Sequence, residues 1–256
     1  MRDPASAMIE KTGTTIPATT AEALLRGQRL LVLSPHPDDE SLGCGALLTD
    51  AFNGPGAHVV CLTDGSASHP GSRAWPPERI AALRQAELVT AIEYLGGTGD
   101  DLTWFGATDA ALHPEHASLA SLTTLARTGG FGLLLAPSPL DPHCDHVAGA
   151  EIGIWLKAQV PHLRLGFYPI WSRWHGGGIA PQPVGTFSVR LPSGPATDQK
   201  STAIAAHRSQ AGLVVTDAPD GFEMPQGFAD FFARQDEVYF LAAEETRNER
   251  CMRDPA

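Results

Sequence analysis

The stretch Ser34–Gly43 reads SPHPDDESLG and follows an apolar run from Leu30 to Leu33. That run has the length and residue types of a buried parallel strand. One histidine and three carboxylates therefore stand where the strand should end. In an open α/β sheet, ligands bind beyond the ends of the strands. The stretch thus predicts both a parallel sheet and a functional site at its edge.

A second cluster, His143–His146, reads HCDH and follows another apolar run, Phe131–Ala136. Zinc takes histidine nitrogen and carboxylate oxygen, and a catalytic zinc keeps three protein ligands and one open position. His36 and Asp39, three residues apart in a tight turn, can point to one place. His146 can complete the set from the neighbouring strand end. The two clusters therefore predict a divalent-metal site with room for water.

Three further residues of these clusters are candidates for catalysis. Asp38 is the neighbour of Asp39 and is free to act as general base toward water, whose pKa a bound metal lowers. His143 can stabilise an oxyanion or protonate a leaving amine. Asp145 can hold a histidine ring through the second N–H group of that ring. The alternative interpretation is that Asp38 and Asp39 only cap the helix that follows.

The composition indicates a globular protein and argues against some classes of partner. The chain has 256 residues, a mass of 27.1 kDa and 43% hydrophobic residues, enough for a sizeable core. Its formal net charge of −11 and pI of about 5.3 argue against nucleic acid or an anionic membrane as partner. We expect no membrane span, and no signal peptide at Met1–Thr20 because that segment lacks an apolar run. The four cysteines show no paired spacing, which predicts a reducing, cytoplasmic location.

Apolar runs alternate with helical patterns along much of the chain. This alternation predicts an α/β, Rossmann-like three-layer fold with a mainly parallel sheet and a C-terminal cap of extra strands. We expect a single domain over residues 1–256, with its core at about 29–210 and a loose arm at 1–18. The predicted strands are Arg29–Leu33, His58–Thr63, Leu102–Phe105, Phe131–Ala136, Leu165–Ile170, Thr186–Leu191 and Val238–Leu241. The predicted helices are Thr20–Arg26, Ser41–Ala51, Pro77–Leu95, Pro114–Arg127, His146–Gln159 and Thr197–Gln210.

These motifs together resemble a known family. Pro35–Glu40, followed later by His143–His146, is similar to the PIG-L/LmbE-like zinc-dependent N-deacetylases. Further matches keep the family's order and extend the resemblance over about residues 30–210. They are Thr63–Gly65 after the second strand, Leu83–Glu87 with Ala91 and Leu95–Gly96 on a helix, and the late pattern Lys200, Ala203, His207, Ser209 and Gln210.

The resemblance implies a Rossmann-like fold and hydrolysis of an acetamide, usually on a glucosamine, so that the implied partner is a small-molecule amino-sugar substrate. It places the metal, Zn²⁺ or another divalent ion such as Fe²⁺, on His36, Asp39 and His146. It makes Asp38 the general base and gives His143 an electrostatic or acid role. These assignments agree with those made from the two clusters alone.

By the same resemblance, Arg84 and Asp109 would hold sugar hydroxyls or a group attached to the sugar. The alternative for Arg84 is an ion pair with Glu87 on the same helix. Some relatives of the mycothiol pathway place a tyrosine two residues before the first histidine of the second cluster, and Asp141 stands there instead. Packing is the expected role of Lys200, His207, Ser209 and Gln210. Cys144 is expected to pack away from the metal, and His69, His113, His116, His162 and His175 are expected at the surface.

The sequence therefore predicts a zinc-dependent hydrolase that removes the acetyl group from an N-acetylated amino sugar or its conjugate. A related amidase that cleaves a larger acyl group or a thiol conjugate is the nearest alternative. A phosphoesterase with a two-metal site is another, although it needs more bridging carboxylates than the clusters supply. A non-catalytic sugar-binding protein is the alternative from a different class. The sequence does not determine the oligomeric state.

Overall fold

The computed structural model describes residues 16–113 and 119–243. Within these residues, seven strands form one sheet. They are β1 (Arg29–Ser34), β2 (Ala57–Thr63), β3 (Leu102–Ala107), β4 (Phe131–Pro137), β5 (Arg164–Tyr168), β6 (Thr186–Leu191) and β7 (Glu237–Ala242).

The order of the strands in the sheet is β3-β2-β1-β4-β5-β7-β6. The first five strands in this order, from β3 to β5, are all parallel to one another. β7 and β6 add antiparallel strands beyond β5. The predicted α/β fold is confirmed, and its additional C-terminal strands continue the same sheet. The strand order reverses between β1 and β4, the kind of position at which open α/β sheets bind ligands.

Helices cover both faces of the sheet. The described helices are α1 (Ala21–Leu25), α2 (Asp39–Phe52), α3 (Pro77–Tyr94), α4 (Leu119–Thr128), α5 (Cys144–Gln159), α6 (Trp171–His175), α7 (Thr197–Ala206) and α8 (Phe228–Arg234). None of the helices in the described part of the chain is both long and apolar enough to cross a membrane.

The central strand β1 shows why two layers of helices are needed. Its apolar side chains are all fully buried and alternate between the two faces, as the two-residue period of a strand requires. Leu30 and Val32 join the core that includes residues of α2, α3, α7 and α8. Leu31 and Leu33 join the second core, which includes residues of α4 and α5. The continuous apolar run predicted to be a parallel strand is therefore buried on both sides.

Several boundaries differ from the prediction. The helix predicted at Pro114–Arg127 is described from Leu119, and 114–118 lie outside the described residues. The helix predicted to reach Gln210 ends at Ala206. Of the predicted arm, residues 1–15 lie outside the described part, whereas Ala18 forms a bridge with Arg190. The short helices α6 and α8 were not predicted, because five or seven residues are too few to establish a helical period.

A buried ion pair joins the late part of the chain to α2. Lys200 Nζ donates to Glu237 Oε1 at 2.7 Å, and both side chains are 2% exposed. The same carboxylate accepts the backbone N–H groups of Ala46 at 2.8 Å and Leu47 at 3.0 Å. The hydroxyl of Tyr239 donates to its second oxygen at 2.6 Å. Glu237 thus connects α2, α7 and β7.

Replacing Lys200 with methionine should lower the free energy of unfolding by about 3–5 kcal/mol, because the Glu237 carboxylate would stay buried without its cation. Denaturant unfolding measures this change. Lys157→Met is the control, since that lysine donates to the Pro161 carbonyl at an exposed position. An equal loss of unfolding free energy in the two variants would show that the buried ion pair does not stabilise the fold more than an exposed lysine does.

Candidate active site and metal centre

The turn after β1 brings the first two predicted ligands together. Oδ2 of Asp39 accepts the backbone N–H of His36 at 3.0 Å and lies 3.2 Å from His36 Nδ1. Thr63, at the end of β2, fixes the turn by donating its N–H at 3.0 Å and its hydroxyl at 2.8 Å to the Pro35 carbonyl. The spacing of three residues therefore places an imidazole nitrogen and a carboxylate oxygen at one point.

The third predicted ligand, His146, reaches the same point from the first turn of α5. Its Nε2 lies 3.3 Å from the same Oδ2 of Asp39. This nitrogen is fully buried and has no hydrogen-bond partner among the described residues. Because buried polar atoms are normally paired, an unpaired nitrogen beside a carboxylate and a second imidazole suits a metal ion. His36, Asp39 and His146 therefore suit a divalent metal ion such as Zn²⁺.

Two other groupings overlap this one. The ligand atoms of His36, His143 and His146 lie within 4.8 Å of one another, and so do those of His36, Asp109 and Asp145. His36 belongs to both groupings. The two sequence clusters thus form one polar centre at the ends of β1 and β4.

The carboxylates of this centre favour positive charge on His36 and His146. Burial alone would lower the pKa of His36, but hydrogen bonds to Asp109, Asp145 and Asp39 raise it well above its ordinary value. Burial also disfavours the charged form of His146, yet the nearby Asp39 carboxylate helps to raise its pKa to about 9. A proton or a metal ion is stabilised at these rings for the same electrostatic reason.

The second nitrogen of His36 contacts the predicted partner Asp145. His36 Nε2 lies 3.2 Å from Asp145 Oδ2 and 3.3 Å from Asp109 Oδ1. Asp145 is itself held by the backbone N–H groups of Ala110 at 2.8 Å and Leu112 at 3.1 Å. Burial would raise the pKa of Asp145, but the His36 contact and these donors hold it well below its usual range. The position fits the predicted role of orienting a histidine ring.

Asp141 orients the other histidine, a role that the sequence did not reveal. Its Oδ2 lies 3.0 Å from His146 Nδ1 and accepts the N–H of Ile170 at 2.9 Å. Its Oδ1 accepts the N–H of Ser172 at 3.0 Å and also the Ser172 hydroxyl. In the sequence this residue was notable only because it replaces a tyrosine of some relatives. Its four contacts fix the ring so that Nε2 faces Asp39.

Replacing Asp141 with asparagine should weaken metal binding about 10–100-fold, because a neutral amide supports the His146 ring less well than a carboxylate does. Competition with a metal-sensitive chelator measures the dissociation constant. Asp198→Asn, at an exposed position in the first turn of α7, is the matched control. Unchanged affinity in Asp141→Asn would contradict this orienting role.

Asp38 has an unusual backbone conformation, with φ 150° and ψ −28°. Positive φ at a residue other than glycine is strained, and such strain often marks functional sites. Although Asp38 precedes α2, its side chain makes no capping hydrogen bond, so the alternative of a simple helix cap does not apply to it. Burial raises the pKa of Asp38 to about 6, the Arg84 guanidinium opposes that rise and the neighbouring Asp39 adds to it.

A buried network holds this strained residue in place. Oε2 of Glu40 accepts the backbone N–H of Asp38 at 3.0 Å and the hydroxyl of Ser34 at 3.2 Å. Its Oε1 accepts the hydroxyl of Ser41 at 2.6 Å and lies 3.2 Å from His207 Nε2. Glu40 and His207 are almost completely buried. His207 was predicted to have a packing role, and Glu40 is its polar partner in the core. The network ties the α7 end of the chain to the Asp38 turn.

Arg84 holds the same turn from α3. It donates to the carbonyls of Gly65 at 3.1 Å and Pro37 at 3.0 Å and lies 3.3 Å from Asp38 Oδ2. Its alternative ion pair with Glu87 is not formed. Glu87 instead accepts the N–H of Ser209 at 2.8 Å and the Ser209 hydroxyl at 2.6 Å. Substrate binding by Arg84 stays a prediction, and its contact with Asp38 is an additional role.

His143 lies beside the candidate metal centre at a half-buried position. Its ring centroid is 4.6 Å from that of His36 and 5.4 Å from that of His146. His143 Nδ1 accepts the backbone N–H of Asp145 at 3.2 Å. Burial and the two neighbouring histidines lower the pKa of His143. Because Nδ1 accepts the Asp145 N–H, a neutral His143 ring carries its proton on Nε2, where it can donate a hydrogen bond.

Two minor expectations are wrong. Cys144 does not pack away but is exposed, with Sγ 3.7 Å from Asp145 Oδ1. His69 is only 5% exposed, and its Nδ1 lies 2.9 Å from the Ser68 hydroxyl. Because His69 sits in a segment rich in small and polar residues, the sequence offered no sign of its burial. His116 lies outside the described residues, and His113, His162 and His175 are exposed as predicted.

Comparison with known proteins identifies a family to which the part of the chain with these residues is similar. Residues 31–156 match the family PIG-L, described as GlcNAc-PI de-N-acetylase. The match begins in β1 and ends in α5, so it includes both sequence clusters. This part of the chain belongs to the PIG-L family.

A curated relative matches over a shorter stretch. It is the 1D-myo-inositol 2-acetamido-2-deoxy-alpha-D-glucopyranoside deacetylase of Kineococcus radiotolerans, 39% identical over 80 residues. The match covers 29% of this chain and spans only 22% of the length of that relative. It supports the PIG-L assignment without extending it to the rest of the chain.

Solved structures share the fold over most of the chain. The N,N'-diacetylchitobiose deacetylase of Pyrococcus horikoshii is 22% identical, with 88% of this chain and 89% of that chain covered and a TM-score of 0.59. The A40926 pseudoaglycone deacetylase is 21% identical, with 85% and 100% covered and a TM-score of 0.60. The 4-carboxy-2-hydroxymuconate hydratase of Pseudomonas putida is 17% identical, with 86% and 97% covered, and also has a TM-score of 0.60. At these identities the likeness shows the fold, which carries more than one reaction.

A pocket of about 390 Å³ opens above the centre. The PIG-L segment supplies its polar floor, formed by His36, Asp38, Asp39, Arg84, Asp109 and His143. Residues after the PIG-L segment supply the other side, which includes the polar Gln210 and Asp220. Its four apolar residues, here called the apolar wall, are Trp171, Phe222, Met224 and Phe228. The predicted site residues that line the pocket thus share one surface. Asp145 and His146 do not line the pocket but contact its residues His36 and Asp39.

Proposed function

We propose that this protein is a metal-dependent hydrolase that removes the acetyl group from an N-acetylated amino sugar or its conjugate. The observation that carries the proposal is the convergence of His36, Asp39 and the unpaired buried nitrogen of His146 beside the strained Asp38. The pocket gives a small molecule access to this centre. Membership of the PIG-L family supports the reaction class.

We assign the metal to His36, Asp39 and His146. Two imidazole nitrogens and one carboxylate oxygen suit Zn²⁺, and Fe²⁺ is an alternative ion for the same donors. When bound, such an ion supplies Lewis-acid polarisation of the acetamide carbonyl and a lower pKa of water. Asp145 and Asp141 orient the two histidines for this task.

The side chains at the pocket floor then supply the proton transfers. Asp38, with a pKa of about 6, is ionised near neutral pH and takes the proton of the attacking water. The water oxygen bonds to the carbonyl carbon, the C–N bond breaks, and the proton passes to the departing amine. His143, with its N–H on Nε2, donates to the carbonyl oxygen or to that amine. The products are a carboxylate and a protonated amine, which together account for both protons of the water.

The amino-sugar class of substrate rests on the relatives and on two pocket residues. Two of the relatives are deacetylases of an acetamido glucopyranoside and of diacetylchitobiose. Asp109 and Arg84 line the pocket beside the polar centre, at positions suited to sugar hydroxyls or an attached group. We also propose that the chain acts as a single domain in a reducing cytoplasm, supported by the free thiols of Cys44, Cys61 and Cys144.

Free-amine release from a panel of N-acetylglucosamine conjugates tests this proposal. We expect release with the metal-loaded protein, its loss after treatment with a chelator, and its recovery when zinc is added back. Acetate should appear in an amount equal to the amine. Absence of amine release from the whole panel, including substrates with longer acyl groups, would overturn the proposed reaction.

A further inference from the structure

Two polar side chains line the pocket on the side opposite the catalytic floor, and the proposed reaction uses neither of them. They are Gln210 and Asp220. Both lie after the segment 31–156 that belongs to the PIG-L family. Because a polar group that lines a pocket needs a partner once a ligand displaces its water, these two side chains constrain which ligand groups can lie there.

The hydrogen bonds around Gln210 determine which end of its amide is left for a ligand. The Ser209 hydroxyl donates to Glu87 Oε2 at 2.6 Å, so its oxygen can only accept from a further partner. The amide nitrogen of Gln210 is that partner, at 2.9 Å from Ser209 Oγ. The amide oxygen Oε1 has no hydrogen bond with any described residue. Since Gln210 is 1% exposed and lines the pocket, it offers the pocket a buried acceptor.

Asp220 offers a second acceptor, one with a full negative charge. It is the third residue of the turn Ala218–Gly221, which is closed by the N–H of Gly221 donating to the Ala218 carbonyl at 2.9 Å. Proline in the second place of this turn and glycine in the fourth are typical of type I. The Asp220 side chain is exposed and forms no hydrogen bond or ion pair within residues 16–113 and 119–243. Its carboxylate is therefore available to a ligand.

The backbone after this turn brings the two acceptors to the same side of the pocket. The N–H of Phe222 donates to the Ser68 carbonyl at 2.7 Å. The N–H of Met224 donates to the Gln210 carbonyl, also at 2.7 Å. The chain that carries Asp220 is thus fixed to Gln210 itself. A surface already fixed in place binds a ligand without a large ordering cost.

Two aromatic rings accompany these acceptors. Trp171 and Phe222 line the pocket, stay partly exposed and meet edge-on with centroids 5.9 Å apart. Phe228, which is 1% exposed, supports Trp171 at 4.9 Å. The faces of such rings attract an organic ammonium, whereas hard metal cations prefer a shell of oxygen ligands. The following four residues are here called the acceptor side: Trp171, Gln210, Asp220 and Phe222.

The charge of the pocket also favours a cation. Its lining includes four carboxylates, those of Asp38, Asp39, Asp109 and Asp220. Arg84 is the only arginine or lysine among the described lining residues, and it already lies 3.3 Å from Asp38. Four negative charges against one guanidinium and the two charges of a divalent ion leave the lining one unit negative. The formal charge of −11 on the whole chain acts in the same direction, so a cationic ligand is attracted and an anionic one repelled.

We propose that the acceptor side binds a protonated primary amine, so that the preferred substrates are amino-sugar conjugates whose attached group carries a second, free amine. This inference rests on the proposed function for the place of the acetamide at the polar floor. An ammonium group has three N–H donors and no acceptor, which matches a surface that offers only acceptors and ring faces. Asp220 supplies the opposite charge, and Gln210 Oε1 accepts one N–H group.

The test compares four glycosides of N-acetylglucosamine with the metal-loaded full-length protein. Their attached groups are 2-aminoethyl, propyl, 2-hydroxyethyl and carboxymethyl, which are similar in length and differ in charge and polarity. The aminoethyl group stays protonated at neutral pH, as the amine of lysine does. We expect its kcat/KM to exceed those of the two neutral glycosides about tenfold, because charge-assisted hydrogen bonds are about twice as strong as neutral ones. The carboxymethyl glycoside should be the poorest substrate. Equal values for the four glycosides, or a higher value for propyl than for aminoethyl, would overturn the proposal.

Variants locate the preference on the acceptor side. Asp220→Asn should reduce the ratio of kcat/KM for aminoethyl over propyl about tenfold, because it removes the charge and keeps the size of the side chain. Asp220→Lys should reverse the order and favour the carboxymethyl glycoside. Glu223→Gln is the matched control, since Glu223 is exposed three residues further on and does not line the pocket. A ratio unchanged in Asp220→Asn, or reduced equally in Glu223→Gln, would contradict a specific site for the amine.

A binding measurement separates this inference from the proposed reaction. Calorimetry compares the aminoethyl and propyl glycosides of glucosamine, which contain no amide, on the metal-loaded protein. Tighter binding of the aminoethyl compound, lost in Asp220→Asn, would support the amine site even if no substrate were hydrolysed. Hydrolysis of the acetylated glycosides together with equal binding of the two glucosaminides would support the reaction and overturn the amine site.

Discussion

Replacing Asp38 with asparagine should lower kcat for amide hydrolysis by about 10²–10⁴-fold, the usual contribution of a general base, while the metal stays bound. The side chain keeps its size, so the strained turn and its N–H bond to Glu40 are retained. What is lost is the carboxylate that takes the proton. The bond to Arg84 is weakened, but Arg84 still has the carbonyls of Gly65 and Pro37.

This prediction needs turnover and metal content to be measured on the same sample. Asp100→Asn, at an exposed position after α3, controls for the loss of one negative charge. A kcat near that of the unmodified protein in Asp38→Asn would exclude the proposed base. Loss of metal together with activity would instead indicate that Asp38 supports the metal.

Replacing His146 with alanine should remove almost all bound metal and all measurable hydrolysis. Only His36 and Asp39 of the assigned ligands would remain, and two ligands hold a zinc ion poorly where three are needed. Asp141 would lose its ring partner but keep its bonds to Ile170 and Ser172, so the loop should keep its structure.

Metal analysis by mass spectrometry and thermal unfolding test this second prediction together. His162→Ala is the matched control, since His162 is exposed and lies away from the pocket. Full metal content in His146→Ala would contradict the assigned ligand set. The grouping of His36, Asp109 and Asp145 would then be the alternative centre.

The core of the fold and the convergence of the candidate metal ligands could be predicted because short-range patterns determine them. The apolar run Leu30–Leu33 is buried on both faces, and its end carries His36 and Asp39 within one turn. Since parallel strands β1 and β4 are neighbours, the ends of both strands meet, which brings His146 to the same point. The spacing of these residues in the sequence was therefore enough to predict that their side chains meet at one point.

The contacts that support the centre could not be predicted, because they join distant parts of the chain. Asp141 is fixed by Ile170 and Ser172, and Glu40 meets His207 across 167 positions. No local pattern encodes such pairs. The antiparallel pairing of β7 and β6 beyond β5 likewise depends on long-range packing.

The apolar wall was missed for a related reason. Trp171 belongs to a helix of five residues, and Phe222 lies in an irregular segment. Neither shows the periodicity from which a sequence-based analysis recognises structure. Their nearness to His36 and Asp38 appears only once the chain after β5 has folded over the pocket.

The most direct test of the central claim is a zinc titration of the metal-stripped protein, with bound zinc and amine release from an N-acetylglucosamine conjugate measured at every step. The account predicts that activity is absent at the start, rises in proportion to bound zinc, and reaches a plateau at about one ion per chain, as three protein ligands and one open position require. Full activity in the stripped protein, or failure to bind zinc at all, would contradict it.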